Sequence, residues 1–570
     1  MKRLKRAAAL LMAAVLTSGI LAGCGEKPEE PPAVTTEVPE RLTVCLGGAL
    51  TSLDPIRTTE ARDMTVLCHL YENLLIPAVD ETGSVTAAPG IAESWESKKN
   101  ADGSVTYTFR LRSAKWSDGT SVLARDFEYA WKRLADPVTA SPNARLLSIV
   151  KGFDEVQAGA DIDTLQVKAL GPSEFSVTIT GSFDWFLREV CTAAATMPLQ
   201  ETVVQELKAA AIAKNQADAA NGLPMTATWC SDYTKLVTNG PYHVESSDDA
   251  SVTLGSSDFY WNEAERPARI RVVFNETAEA GWALHSAGVV DVLADVPAAR
   301  LKELAQDAAW SPLPTLTTTL LLFNNNAAPL DDPLVRSALH LSVSRAALGS
   351  AVGAALIPAT GFVPFGVSDP EDVDFRTHGG ALIPSGPDEE TAALATAGDQ
   401  LLQAGYDEIT PLPALELLYT DTERHAATAR ALAEQWMNRL NITVTPVAVT
   451  AEELNTALEA GTFSLALTDF TGYINDAQGF MDAWTTDSQT NTVGYSNTAY
   501  DTLLAVIGSA GSDQARRGCL HDAEDLLFRA VPFSPLYFVG TDYAVSDRLD
   551  GVIRSNRGVF RFTGVFRHLS

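Results

Sequence analysis

The run from residue 88 to residue 138, APGIAESWESKKNADGSVTYTFRLRSAKWSDGTSVLARDFEYAWKRLADPV, sets a strand, a turn and a helix in one order. Between Thr106 and Leu111 the apolar Tyr107, Phe109 and Leu111 alternate with Thr106, Thr108 and Arg110, as a strand with one buried face requires. Asp118-Gly119 then turns the chain. Ser121 is placed to cap a helix whose Phe127, Trp131 and Leu134 recur on one face, and Pro137 marks its end. By periodicity alone this is an ordinary strand, loop and helix.

The same reading extends in both directions. An opening strand at 42–46 precedes a helix carrying Val66, Leu70 and Leu74, and the alanine-rich segment 201–220 reads as a surface helix. From 316 to 348 a strand, a turn and a helix follow. Asp332 caps that helix and Pro333 takes its first position, where a missing amide donor is harmless. Strand 415–420, a helix with Leu432, Trp436 and Leu440, strand 442–449, a helix at 451–460 and strand 463–470 make a βαβαβ pattern, hence a mainly parallel sheet. Ligands of such sheets sit beyond the carboxyl ends of the strands, here near Asp469 and Phe470. No glycine-rich phosphate loop follows a strand.

Residue identities say more than periodicity. Ala-Glu-Ser-Trp-Glu at 92–96, Thr-Tyr-Thr-Phe at 106–109, Lys-Trp-Ser-Asp-Gly-Thr at 115–120, Asn-Gly-Pro-Tyr at 239–242 and Asp-Phe-Tyr-Trp-Asn at 258–262 stand in order. Together they resemble the oligopeptide- and dipeptide-binding lipoproteins of ABC importers, solute-binding family 5. The resemblance implies an α/β, two-lobed fold of the periplasmic-binding-protein type (class II, cluster C), with an extra small domain and mixed sheets flanked by helices. Its implied division is lobe I at 41–87, 198–315 and 532–570, the small domain at 88–197, and lobe II at 316–531. A hinge would close the lobes over the ligand.

The N-terminus supports this by independent physics. Lys2, Arg3, Lys5 and Arg6 precede an apolar stretch from Ala7 to Leu21, and Leu21-Ala22-Gly23-Cys24 follows. That is a signal peptide over 1–23 with a lipobox, so Cys24 becomes the acylated first residue; a spare thiol in a discarded leader is the other reading. Residues 24–40, rich in proline and glutamate, form a tether without apolar periodicity. No later stretch holds 18 uninterrupted apolar residues, so the expected location is the outer face of the bacterial cell membrane, anchored by lipid only.

Lys plus Arg is 42 against 72 for Asp plus Glu, a net charge of −30, which argues against nucleic acid as a partner. Besides Cys24 the cysteines are Cys45, Cys68, Cys191, Cys230 and Cys519, an odd number without a CxxC pair, so no disulfide framework is indicated. HExxH, GxSxG and Walker signatures are missing. The eight histidines are scattered, and no metal or other cofactor is expected. The adjacent acids Asp248-Asp249, Asp331-Asp332 and Glu389-Glu390 read as turn, cap and solvated face, because neighbouring side chains diverge. The chain is thus read as a binder, with an extracytoplasmic hydrolase as the rival.

What remains is implied by the resemblance. The partners are a peptide ligand and the transmembrane subunits of an ABC permease, and the protein is a monomer. The ligand pairs as an added strand with Asp469, Phe470 and Thr471. A second contact falls near Ala61, Arg62 and Asp63, unless these are only a solvated helix start. The family motif GWxxDYxxPxxFL places Phe470 at Trp and Tyr473 at the Asp that meets the ligand's amino terminus. Asp476 or Asp469 then substitutes for that acid, with Asp476 favoured, or the ligand needs no free amine because it is blocked, longer or not a peptide. Tyr473 as plain packing is the remaining reading.

Overall fold

In a computed structural model of the chain, which describes residues 35–79, 85–275, 277–304, 312, 314–353, 356–369, 373–510, 512–540 and 542–569, the opening strand Arg41–Cys45 lies inside a six-stranded sheet. It runs parallel to both neighbours, Arg269–Val273 and Val292–Leu293, and the outer strands Ser251–Ser256, Tyr242–Ser247 and Ala544–Val545 are antiparallel. Helix Ala61–Leu70 packs Val66, Leu67 and Leu70 into the core, and Leu74 is buried just beyond its end.

The segment that opens the sequence reading builds a separate four-stranded sheet, in the order Ala92–Lys99, Val105–Leu111, Glu174–Ile179, Val167–Ala169. Its helix is Ala124–Ala135, with Phe127 and Trp131 against Phe175 at ring separations of 5.8 and 5.4 Å. Ser121 is not its cap. Ser121 is taken into a bridge with Lys115, so the helix starts later, at a cap on Leu123 whose N–H donates to Asp126 at 2.8 Å. Trp116 Nε1 donates to the same carboxylate at 3.1 Å.

The second six-stranded sheet has the order Leu356–Pro358, Phe533–Gly540, Pro314–Phe323, Leu465–Thr471, Leu415–Thr420, Val444–Val449. The βαβαβ expectation holds for its parallel half, with helices Glu423–Leu440 and Ala451–Ala460 as crossovers. The other half is antiparallel, so the sheet is mixed rather than mainly parallel. Along Leu320-Leu321-Leu322-Phe323 successive side chains enter different apolar clusters, one on each face. That is why the strand reads as an unbroken apolar run. Asp332 caps helix Pro333–Leu341 as expected, accepting the Leu334 N–H at 2.8 Å.

Strand Phe533–Gly540 lies next to Pro314–Phe323, so a lobe boundary at 532 falls too early. Nearly every residue of that strand is buried, and its interior position in the second sheet leaves both its edges paired. The chain rejoins the first sheet at Ala544–Val545. Cys45, Cys191 and Cys230 are buried free thiols. Among the described residues no helix is long and apolar enough to cross a membrane.

The first sheet and the small domain share one apolar cluster and a polar tie. Asp54, in the loop after the first strand, accepts two bonds from Arg133 at 2.7 and 2.5 Å and one from Trp229 Nε1 at 2.8 Å. Replacing Asp54 with Ala strands the Arg133 charge, whose side chain is 9% exposed. A loss of about 3–5 kcal/mol is expected in urea unfolding.

Candidate ligand-binding cleft

Strand Leu465–Thr471 changes character along its length. Leu465, Ala466 and Leu467 are buried, Thr468 to Phe470 are half-buried, and Thr471 is exposed. On one edge it stays paired with Pro314–Phe323 up to Thr317↔Thr471. On the other edge, pairing with Leu415–Thr420 stops at Tyr419↔Leu467. Among the described residues no strand covers that edge of 468–471. Such an edge is a template for an added strand.

The side chains of this segment are spoken for. Asp469 accepts from Thr319 and Arg424, each at 2.5 Å, and His425 Nε2 lies 3.3 Å away. Burial raises its carboxyl, but His425, Arg424 and Thr319 outweigh burial and hold it below the usual range. Phe470 packs on Phe362, Phe480 and Trp484. Phe362 and Val363 are themselves fully buried and donate their N–H groups to Glu524. The Thr471 hydroxyl pairs with Thr317 at 2.9 Å.

Beyond the strand the chain bends at Gly472, where a Cβ would fall 2.3 Å from the Phe480 ring. It then crosses to the other body. Ile474 is buried in the core of the first sheet and small domain, and the Asn475 N–H donates to Glu189 of the small domain at 2.9 Å. Tyr473 donates its hydroxyl to Asp482 at 2.8 Å, beneath the Arg145 guanidinium, which lies 4.6 Å over the ring and 3.6 Å from Asp482. Burial pushes the Tyr473 phenol well up, with Asp482 adding to it, so Tyr473 is a neutral donor.

Two expectations fail here. Asp476 turns away from the cleft, accepting from Arg516 at 3.0 and 2.6 Å with side-chain exposures of 1% and 3%. Its charge is met by the protein itself. Asp63 is neither a solvated helix residue nor a ligand contact, since it is fully buried and accepts the Thr51 and Ser52 N–H groups and the Thr51 hydroxyl. Arg62 donates to the Ala49 carbonyl at 3.1 Å. Cys24 lies outside the described residues.

A cavity of about 220 Å³ lies beside Tyr473 and Asn475, with the rest of its wall supplied by the body of the first sheet and small domain. Helix Ala61–Leu70 contributes Met64 and Cys68, and the small domain contributes Arg145, Arg188 and Glu189. Glu72, Arg557 and Arg561 complete its charged lining. Arg557 donates to the Tyr473 carbonyl and lies 3.6 Å from Glu189. The charged residues among these span positions 72 to 561 without a common motif, and no sequence signal singles them out. The volume is below the roughly 300–1,000 Å³ of whole-ligand pockets, which suits one end of a longer ligand.

The histidines are less scattered in space than in sequence. His378 and His521 come together with Asp369, with ligand atoms within 4.8 Å of one another. The cation at that point is Arg517, 3.2 Å from Asp369 and 3.1 Å from His378 Nδ1. Of the adjacent acids, Asp248 accepts the Ala250 and Ser251 N–H groups of a turn, and Glu389 accepts from Ser385 and Gly386 ahead of its helix.

A model of the bacterial extracellular solute-binding proteins, family 5 Middle, matches residues 86–492. The dipeptide-binding protein DppE of Bacillus subtilis is 28% identical over 476 residues, 82% of this chain and 81% of the relative. The periplasmic oligopeptide-binding protein OppA of Salmonella typhimurium is 28% identical over 550 residues, 93% and 92% of the two chains. The solved structure of the Escherichia coli murein tripeptide binding protein MppA aligns with a TM-score of 0.72 at 25% identity, covering 93% of this chain and 99% of that one. The architecture is the two-lobed α/β one, with mixed sheets and flanking helices.

With Asp476 committed to Arg516, Asp476→Asn is expected to act on stability. A loss of about 3–5 kcal/mol in chemical unfolding follows from leaving a buried guanidinium undercompensated. The ratio of affinities for free-amine and N-acetylated peptides stays as in the unaltered protein, measured by calorimetry.

Proposed function

We propose, because the chain belongs to family 5 of the bacterial extracellular solute-binding proteins, that it is an extracytoplasmic receptor which captures an oligopeptide by closing its lobes and hands it to the transmembrane subunits of an ABC permease. The observation that carries this is the uncovered strand edge at 468–471, which leads into the cavity at Tyr473. Pairing a ligand's backbone with that edge gives affinity while leaving its side chains loosely specified. The DppE and OppA relatives, named for dipeptide and oligopeptide binding, support the ligand class.

In this reading the first lobe comprises 41–87, 198–312 and the chain from 542, the second runs from 314 to 540, and the small domain is 88–197. The hinge is assigned to the links between the two six-stranded sheets. The mature protein starts at an acylated Cys24, rides on the tether as a monomer, and acts by binding without chemical turnover. A ligand of non-standard form is the second reading, favoured by Tyr473 standing where the family motif expects an acid, with its hydroxyl given to Asp482.

Closure is tested by scattering and melting with a diverse peptide pool. The radius of gyration should fall, and binding at a hundred times Kd should add about 2.7 kcal/mol of stability. If no member of the pool changes either quantity, the peptide-receptor reading is wrong, and steady consumption of peptide would replace it with a hydrolase. Cys24→Ala is expected to shift the protein from the detergent to the aqueous phase in cells that process lipoproteins. Unchanged partitioning would remove the lipid anchor from the proposal.

A further inference from the structure

The charged groups around the cavity are unevenly paired. Glu189 is engaged by Arg557 and the Asn475 N–H. Glu72 accepts from Tyr260 and from Trp261 Nε1, and burial raises its carboxyl despite those bonds and the nearby Arg561 and Arg112. Arg145 is taken up by Asp482 and the face of Tyr473. Arg188 differs from all of these. Its Nε and Nη2 are buried and make no hydrogen bond, although the same side chain lines the cavity. Of the six charged residues lining the space, four are arginines, in a chain whose net charge is −30.

Buried donors on a guanidinium without an acceptor are costly, and an anion supplied by a ligand relieves that cost. An ammonium entering the same space meets no open carboxylate. Asp469 is held by Arg424 and Thr319, Asp476 by Arg516, and Asp482 by Tyr473, Gln478 and Arg145. Glu189 and Glu72 are engaged as described.

We propose that this end of the cleft receives a carboxylate of the ligand at Arg188, and that the ligand brings no free α-ammonium there. This rests on the peptide-receptor reading and names its substrate class: peptides whose amino end is blocked by, or replaced with, an acidic group. Arg561, lining the same cavity, adds to the field that favours an anion.

The test uses one diverse peptide pool prepared in three forms, with free amines, with N-acetyl caps and with N-succinyl caps, offered to the full chain at low salt and read by mass spectrometry of the bound fraction. Succinylated members are expected to be enriched about tenfold over acetylated ones, as one charge-assisted hydrogen bond allows, with free-amine members weakest. Arg188→Gln should bring the succinyl-to-acetyl ratio to about one, and Arg188→Lys should restore part of it. Without ligand, Arg188→Gln should melt at the same temperature or higher, because it removes two buried donors that nothing accepts. A lower melting temperature would make Arg188 a structural residue and overturn the inference. Preferential retention of the free-amine pool would overturn the inference and leave the receptor reading intact. Retention of nothing from any pool would end both.

Discussion

Arg516 grips Asp476 through two hydrogen bonds with both side chains excluded from water, and the loop from 473 to 478 depends on that grip. Arg516 also reaches Asp184 of the small domain at 3.4 Å, and Trp185 Nε1 donates to Gln478 at 3.2 Å. A segment that leaves the second sheet is thereby locked between two bodies. Its position decides where Tyr473 and Asn475 stand, and so where the cavity lies. A buried ion pair adds little net stability compared with apolar packing; here it joins the buried Ile474 and Ala477 in holding the loop.

The second constraint is the ending of strand pairing at Leu467. The partner strand Leu415–Thr420 stops because Thr422 begins the cap of helix Glu423–Leu440, accepting the His425 N–H. The helix then sends Arg424 back to Asp469. One structural event therefore both exposes the edge at 468–471 and neutralises the acid on it. The edge at 468–471 is left with backbone groups to offer, and its one acid is already held by Arg424.

The fold was largely readable in the chain. The βαβαβ run from Leu415 to Thr471 has its helix Ala451–Ala460 and strand Leu415–Thr420 where periodicity puts them, since alternating and helical spacings are local properties. The cap on Asp332 was readable for the same reason. Ser121 misled because a bridge to Lys115 competed for it. The boundary at 532 misled because an apolar strand carries no mark of which sheet will accept it.

The site was read only in part. Sequence by itself determined that a strand ends near Thr471 and is followed by a loop, because alternation is local, and the family motif laid on the chain puts Tyr473 where a carboxylate is expected. Tertiary structure alone decided that Asp476 is neutralised by Arg516, that Asp63 holds the backbone at Thr51, and that Arg188 stays unmet beside a cavity. A charge's role depends on which partner reaches it through low dielectric: Arg516 stands 40 residues from Asp476, and the backbone donors of Asp63 stand 11 and 12 residues away. No local pattern records that distance.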